Sequence, residues 1–219
     1  MNSNPKKTES DLLEQYRVAL ENVKKQPQIA TTMVEYGYDD PTLVVGKNLW
    51  DYAQTAYENN KLEDDETSEA KQELDRLKTE LSEMYRLHRK KAKVVFRDDM
   101  VTLSKLELHR SLPDAYAAWL EAIRKFYTVA LSSDEIKQKM LRLKVTDEEL
   151  SSGSEKVTAV EGARADYLRE VGESQDATKE KDKAITEIAV WMRDFYDVAR
   201  IALEDNPQLL ETLGLKVRS

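Results

Sequence analysis

Apolar residues recur three and four apart along nearly the whole chain, which is the period of an amphipathic helix and not the alternation of a strand. The pattern is clean in Trp119, Ile123, Phe126 (or Tyr127) and Ala130. It is longer in the seam Leu74, Leu77, Leu81, Met84, His88, Ala92 and Val95, and again in Ala184, Ile188, Trp191, Phe195, Val198 and Ala202. Alternating steps of three and four belong to helices packed against antiparallel neighbours.

Start and stop signals divide the pattern. Pro27 and the pair Ser133-Asp134 open short second segments running to about 36 and 143, Pro as a first helical residue and Ser or Asp as a cap. Gly37 is a C-terminal stop. Thr146-Asp147-Glu148-Glu149 has the capping-box pattern, and Asp40-Pro41 offers a start at the matching place. The polar, acidic stretch from Asn59 to Glu69 is expected to separate this helix from the longest one, predicted over 66–97 and 173–204. Asp98-Asp99 and Asp205-Asn206-Pro207 stop the long helices, and short leucine-rich helices at 100–107 and 207–213 are expected to fold back over a bundle's end.

These elements come in pairs. At a constant offset of 107, Leu13, Glu14 and Arg17 meet Leu120, Glu121 and Arg124, and Leu43 and Gly46 meet Leu150 and Gly153. Further on, Leu103, Leu106 and Leu108 meet Leu210, Leu213 and Leu215. A single gapless offset from 13 to 215 reads as an internal duplication. The expected fold is all-α, a tandem duplication of a three-to-four-helix up-and-down bundle in a pseudo-twofold arrangement. The expected domains are repeat 1 over 6–108, a linker over 109–114 and repeat 2 over 115–215, with Pro113 disfavouring helix at Leu112 and Asp114 capping the first helix of the second repeat.

Composition narrows the chemistry. The 219 residues include no cysteine, which excludes disulfides, thiolate metal sites and cysteine nucleophiles. A net charge of −8 argues against non-specific nucleic-acid binding. MNSNPKKTESD lacks the apolar centre of a secretory signal, and no apolar run approaches the roughly 18 residues of a membrane span. A cytoplasmic protein with no membrane partner is the expectation.

The candidate chemistry is sparse. His88 sits on the long seam where the other copy has Phe195, so it reads as a metal ligand or base, or as a half-buried stand-in for an aromatic. The residues three before His88 and His109 are Tyr85 and Leu106, so the Glu-x-x-His motif of carboxylate-bridged metal bundles is missing. The recurring carboxylates Glu73, Asp75 and Glu80, with Glu180, Asp182 and Glu187, lie among basic neighbours as on a solvated helix face. Arg86 and Arg193 stand beside Glu83 and Asp194, suiting either a buried arginine tie between helices or anion recognition. The run Arg86, His88, Arg89, Lys90, Lys91 and Lys93 is strongly basic in the first copy only. It complements a helix C-terminus or contacts an anion. Trp50, Tyr52, Tyr57, Trp119, Tyr127, Trp191, Phe195 and Tyr196 line either a core or a ligand pocket. No phosphate-binding glycine loop, nucleophile elbow or His-Glu-x-x-His motif is present.

The stretch Leu-Glu-Asp-Asn-Pro-Gln-Leu-Leu-Glu-Thr-Leu-Gly-Leu at 203–215, the segment Tyr36-Gly37-Tyr38-Asp39 and the duplicated layout resemble an uncharacterised family of bacterial all-helical proteins. That resemblance implies no activity, cofactor or catalytic residue. The reading from the residues is a non-enzymatic helical interaction or scaffold protein with a protein partner or self-association, without catalytic residues, metal or cofactor. The alternatives are a small-ligand or metal-binding bundle, and weak nucleic-acid or anion binding through 86–93. The candidate anion-binding residues are Arg86, His88, Arg89, Lys90, Lys91 and Arg193.

Overall fold

A computed structural model describes residues 7–217. Most of the stretch inspected for a secretory signal, and Lys6 at the start of the expected first repeat, lie outside the described residues. The described residues form helices α1 (Glu9–Lys25), α2 (Pro27–Glu35), α3 (Asp40–Val95), α4 (Met100–Lys105), α5 (Tyr116–Leu131), α6 (Asp134–Leu141), α7 (Asp147–Ala202) and α8 (Leu209–Thr212), with no strand among them. No helix among them is long and apolar enough to cross a membrane.

Local chemistry accounts for most of the helix ends. Thr8 and Asp11 close a capping box on α1, with each backbone N–H donating to the other's side-chain oxygen at 3.1 Å. Thr146 and Glu149 do the same for α7 at 3.2 Å. Such a cap contributes on the order of 1 kcal/mol. Pro27 takes the first turn of α2, and Gly37, at φ +87°, ends it. For α3 the cap is Asp39, which accepts from the Thr42 N–H at 3.0 Å. Asp114 does not cap α5: Ala115 holds that position and makes no side-chain bond.

The largest departure from the sequence reading is in the middle of the long helices. No break occurs at 59–69, and α3 and α7 each run 56 residues without interruption. The stretch is polar, yet it contains neither Gly nor Pro. Charged and amide side chains in water do not stop a helix once it is propagating.

That continuity redraws the compact units. The chain divides into one unit made of Met1–Asp65 with Glu173–Ser219, and another made of Glu66–Gly172. These are not the halves 6–108 and 115–215, and the segment 109–114 lies within the second unit. An unbroken 56-residue α3 cannot turn back to pack both of its ends against α1 and α2, so each end finds different neighbours.

The first unit holds α1, α2, the start of α3, the end of α7, and α8. Asn60 donates to Thr178 at 3.1 Å, and Gly46 faces Trp191. Numbers rise along α3 as they fall along α7, so the two run antiparallel here. Leu13, Val23, Ile29, Met33, Ala53, Ile188, Met192 and Phe195 fill the core. The end of α8 is fastened to α1, where Asn22 donates to the Thr212 carbonyl at 2.8 Å and Gln15 to that of Gly214 at 3.1 Å. Leu210 and Leu213 turn inward, as the fold-back expectation requires.

The second unit holds the end of α3, α4, α5, α6 and the start of α7. Thr67 donates to the Glu170 carbonyl at 3.1 Å and Lys156 pairs with Glu80 at 2.5 Å, again an antiparallel pairing of α3 and α7. Leu81, Tyr85, Phe96, Leu106, Leu108, Ile123, Phe126, Met140 and Val160 are closely packed in its core. Tyr85 and Phe96 lie off the expected seam, whereas Leu77, Met84 and Val95 on it are only half-buried.

The turns that end the short helices also recur at 107. The Tyr38 N–H reaches the Met33 carbonyl as Val145 reaches Met140, and Leu108 reaches Leu103 as Leu215 reaches Leu210. Each turn needs one left-handed residue. Gly37 and Gly214 supply it at φ +87° and +76°, while at the matching places Lys144 and Glu107 adopt it at +57° and +54°.

Candidate functional site

The sequence-predicted candidates are scattered over the two units and do not converge. His88 is 2% exposed in the second unit, on the face of α3 turned toward α5. Its Nδ1 lies 3.2 Å from the Tyr127 hydroxyl, and the rings meet edge to face at 5.9 Å. Burial pushes the Tyr127 phenol well above its ordinary range, so the hydroxyl keeps its proton and shares a hydrogen bond with the imidazole. Burial pushes His88 down, partly offset by Glu149, with the nearby Lys91 charge lowering it further. A neutral histidine bonded to a tyrosine in an aromatic cluster is a satisfied core polar group. It fills the volume that Phe195 fills 107 residues later.

The basic run divides by direction. Arg89 donates to the Arg110 carbonyl, and Lys91 donates to that of Lys144 at 3.3 Å. Both brace the turns that close the second unit. Arg86, Lys90 and Lys93 face outward, and none of them joins an ion pair among the described residues. Arg86 and Arg193 are both exposed, so neither is a buried tie between helices; Arg193 pairs with its neighbour Asp194 at 3.0 Å. On a helix Arg86, Lys90 and Lys93 share one stripe. Beside it stand Leu87 and Val94, 51% and 47% exposed, and α4 opens with Met100 and Val101 at 65% and 66%.

Most of the recurring carboxylates are engaged by their neighbours. Glu73 pairs with Arg76 at 2.7 Å, Glu80 pairs with Arg76 and Lys156, Asp75 pairs with Lys71, and Glu180 accepts from Tyr52. Hydrogen bonds from Arg76 and from Lys156 hold Glu73 and Glu80 below the usual carboxylate range. Glu73, Asp75 and Glu80 are members of salt-bridged helix faces.

One site carries no motif in the sequence. In the first unit α1 and the start of α3 enclose a cleft of about 230 Å³, floored by Leu20, Leu43 and Trp50. Arg17, Lys24, Lys25 and Lys47 surround it, with Glu21 the one carboxylate in its wall. The indole N–H of Trp50 donates to the Leu13 carbonyl at 2.8 Å, which fixes the ring, and Lys47 Nζ lies 4.9 Å from its centre. A wider groove adjoins the cleft through Lys24 and Leu43 and ends at Asp39 and Asp40. The available sequence signal is divergence at the 107 offset. Lys24, Lys25, Lys47 and Trp50 stand opposite Leu131, Ser132, Ser154 and Val157, so the recurring helix pattern does not depend on them.

Comparison of the chain with protein-family models, with curated proteins and with solved structures gives no match.

Proposed function

We propose that this is a non-enzymatic helical interaction protein, built by duplication of a helix-and-cap module, that works by contact with another protein. The duplication is supported by α3 and α7, of equal length and 107 residues apart at both ends, and by the recurring left-handed turns. The contact reading is carried by one observation, the stripe of unpaired Arg86, Lys90 and Lys93 flanked on the same helix by exposed Leu87 and Val94.

On a chain of net charge −8 such a surface is selective. Cations around apolar side chains suit a partner with a carboxylate-rich rim and an apolar centre. The test is crosslinking and pull-down from native cells with the full chain and with Arg86, Lys90 and Lys93 all changed to Glu. A specific acidic partner is expected with the unchanged chain, lost with the triple variant and kept when exposed Lys179 is changed to Glu. Repeated surveys finding no partner that depends on the stripe sink the proposal. DNA or RNA binding at low salt with that same dependence replaces it with the nucleic-acid reading.

Small-ligand binding is a second reading, supported by the cleft of the first unit.

A further inference from the structure

We infer that the cleft between α1 and the start of α3 binds a small aromatic carboxylate, with the ring on Trp50 and Leu43 and the anionic group among Lys24, Lys25 and Lys47. The inference goes beyond the contact reading and stands independently of it, since it concerns the other unit.

The two units fill the space around the matching glycines, Gly46 and Gly153, with different side chains. In the second unit Tyr127 lays its ring over Gly153 and fills the space beside α7. In the first unit the corresponding residue is Leu20, which is shorter, and Gly46 is covered by Trp191 of α7 instead. The space left over Leu20 lies open beneath Trp50.

Its electrostatics select the ligand. Four cations and one carboxylate line the wall. Arg17 spends its guanidinium on Glu14 and Glu21, at 2.7 and 2.6 Å. Lys25 shares Glu21 at 2.9 Å and Lys47 reaches Asp51. Lys24 enters no ion pair among the described residues and is exposed at the mouth. An incoming carboxylate therefore meets a net positive rim over an apolar floor, the usual division between polar orientation and apolar burial in ligand sites.

Size and neighbourhood limit it further. At about 230 Å³ the cleft is smaller than the roughly 300–1,000 Å³ of larger ligand sites. Asp39 and Asp40 in the adjoining groove repel a second anionic group or an acidic peptide continuing that way. One or two fused rings carrying a single carboxylate fit both limits.

Calorimetric titration of the full chain with 2-naphthoate, 2-naphthalenemethanol and acetate tests the inference. Binding of 2-naphthoate is expected in the millimolar range or tighter, with the neutral alcohol at least roughly five-fold weaker and acetate showing no heat. Changing exposed Lys24 and Lys47 to Gln should weaken 2-naphthoate roughly five-fold, the scale of two half-solvated ion pairs. No binding at ten millimolar overturns the inference. So does unchanged affinity in the Lys24→Gln, Lys47→Gln variant, or acetate binding as tightly as 2-naphthoate.

Discussion

Tyr127 lies so close over Gly153 that a β-carbon on that glycine would fall 2.2 Å from the ring. The phenol is buried beneath α7, with Tyr85, His88 and Phe126 packed around it. It has nowhere to retreat. Gly153→Ala is therefore expected to cost about 1–3 kcal/mol, as overpacking of a closed core does. Gly46 has a similar neighbour, with Trp191 at 2.4 Å from its would-be β-carbon, but that indole is half-buried and has room to swing. Urea denaturation should rank Gly153→Ala as the more destabilising change. Combining it with Tyr127→Leu, which restores the residue type of position 20, should recover part of the loss as a positive coupling. Equal costs for the two glycines would contradict this account.

Two other glycines of α7 give the opposite result. Nothing lies within 4 Å of a β-carbon placed on Gly162 or Gly172. Both sit inside a continuous helix, where glycine costs backbone entropy on folding without any packing return. Gly162→Ala and Gly172→Ala should each stabilise by about 0.5–1 kcal/mol. Thermal melting of the double variant is the measurement, with a rise of about 2–8 °C expected for a chain of this size.

The contrast between these glycines marks what is legible in the sequence. Helix identity, the caps at Thr146 and Gly37 and the buried leucines of the closing helices can all be read, because each depends on a few neighbouring residues. The continuity of α3 through 59–69 cannot be read from polarity, which suggests a break even where no Gly or Pro supplies one. The composition of the compact units depends on that continuity. A recurring sequence pattern follows the order of the chain, whereas packing occurs wherever an unbroken helix delivers its side chains. The cleft leaves only a faint trace, the divergence of Lys24, Lys25, Lys47 and Trp50 from their counterparts at the 107 offset. It forms where the packing of α1 against the start of α3 leaves space over Leu20, Leu43 and Trp50, and how two helices pack is not a local pattern.

His88 gives the pH dependence a definite sign. Burial lowers its pKa from the ordinary 6.5, so the folded protein holds it neutral while the unfolded chain protonates below that value. The unfolded state then binds the extra proton, and stability falls with pH below about 6.5 until the folded-state value is reached. The groups that face it, Tyr127, Glu149 and Lys91, do not reverse the direction. Carboxylates held low by arginine and lysine partners, such as Glu73 and Glu80, lose their contribution in a more acidic range. His88→Phe, which installs the residue found at position 195, should flatten the stability profile just below about pH 6.5 while leaving the steeper acid limb in place. Urea midpoints at half-unit pH intervals would reveal it. An unchanged slope in the variant would mean that His88 titrates alike in both states.

Lys144, like Glu107, carries a backbone cost. It adopts φ +57° at the turn after α6, in the region where a β-carbon crowds the following carbonyl. The matching residue 107 positions earlier is Gly37 at φ +87°. The Lys144 side chain is exposed and enters no ion pair among the described residues. The two interactions that the turn needs are backbone ones, its N–H on the Leu141 carbonyl at 2.8 Å and its own carbonyl accepting from Lys91. Lys144→Gly keeps both and removes the crowding, at the expense of a more flexible unfolded chain. Because a left-handed non-glycine residue costs about 1–2 kcal/mol, the net effect should be a stabilisation of about 0.5–1 kcal/mol. Gly37→Lys, the reverse exchange in the other turn, should destabilise by a comparable amount. Urea midpoints should move in opposite directions for the two variants, with the slope of the transition unchanged in both.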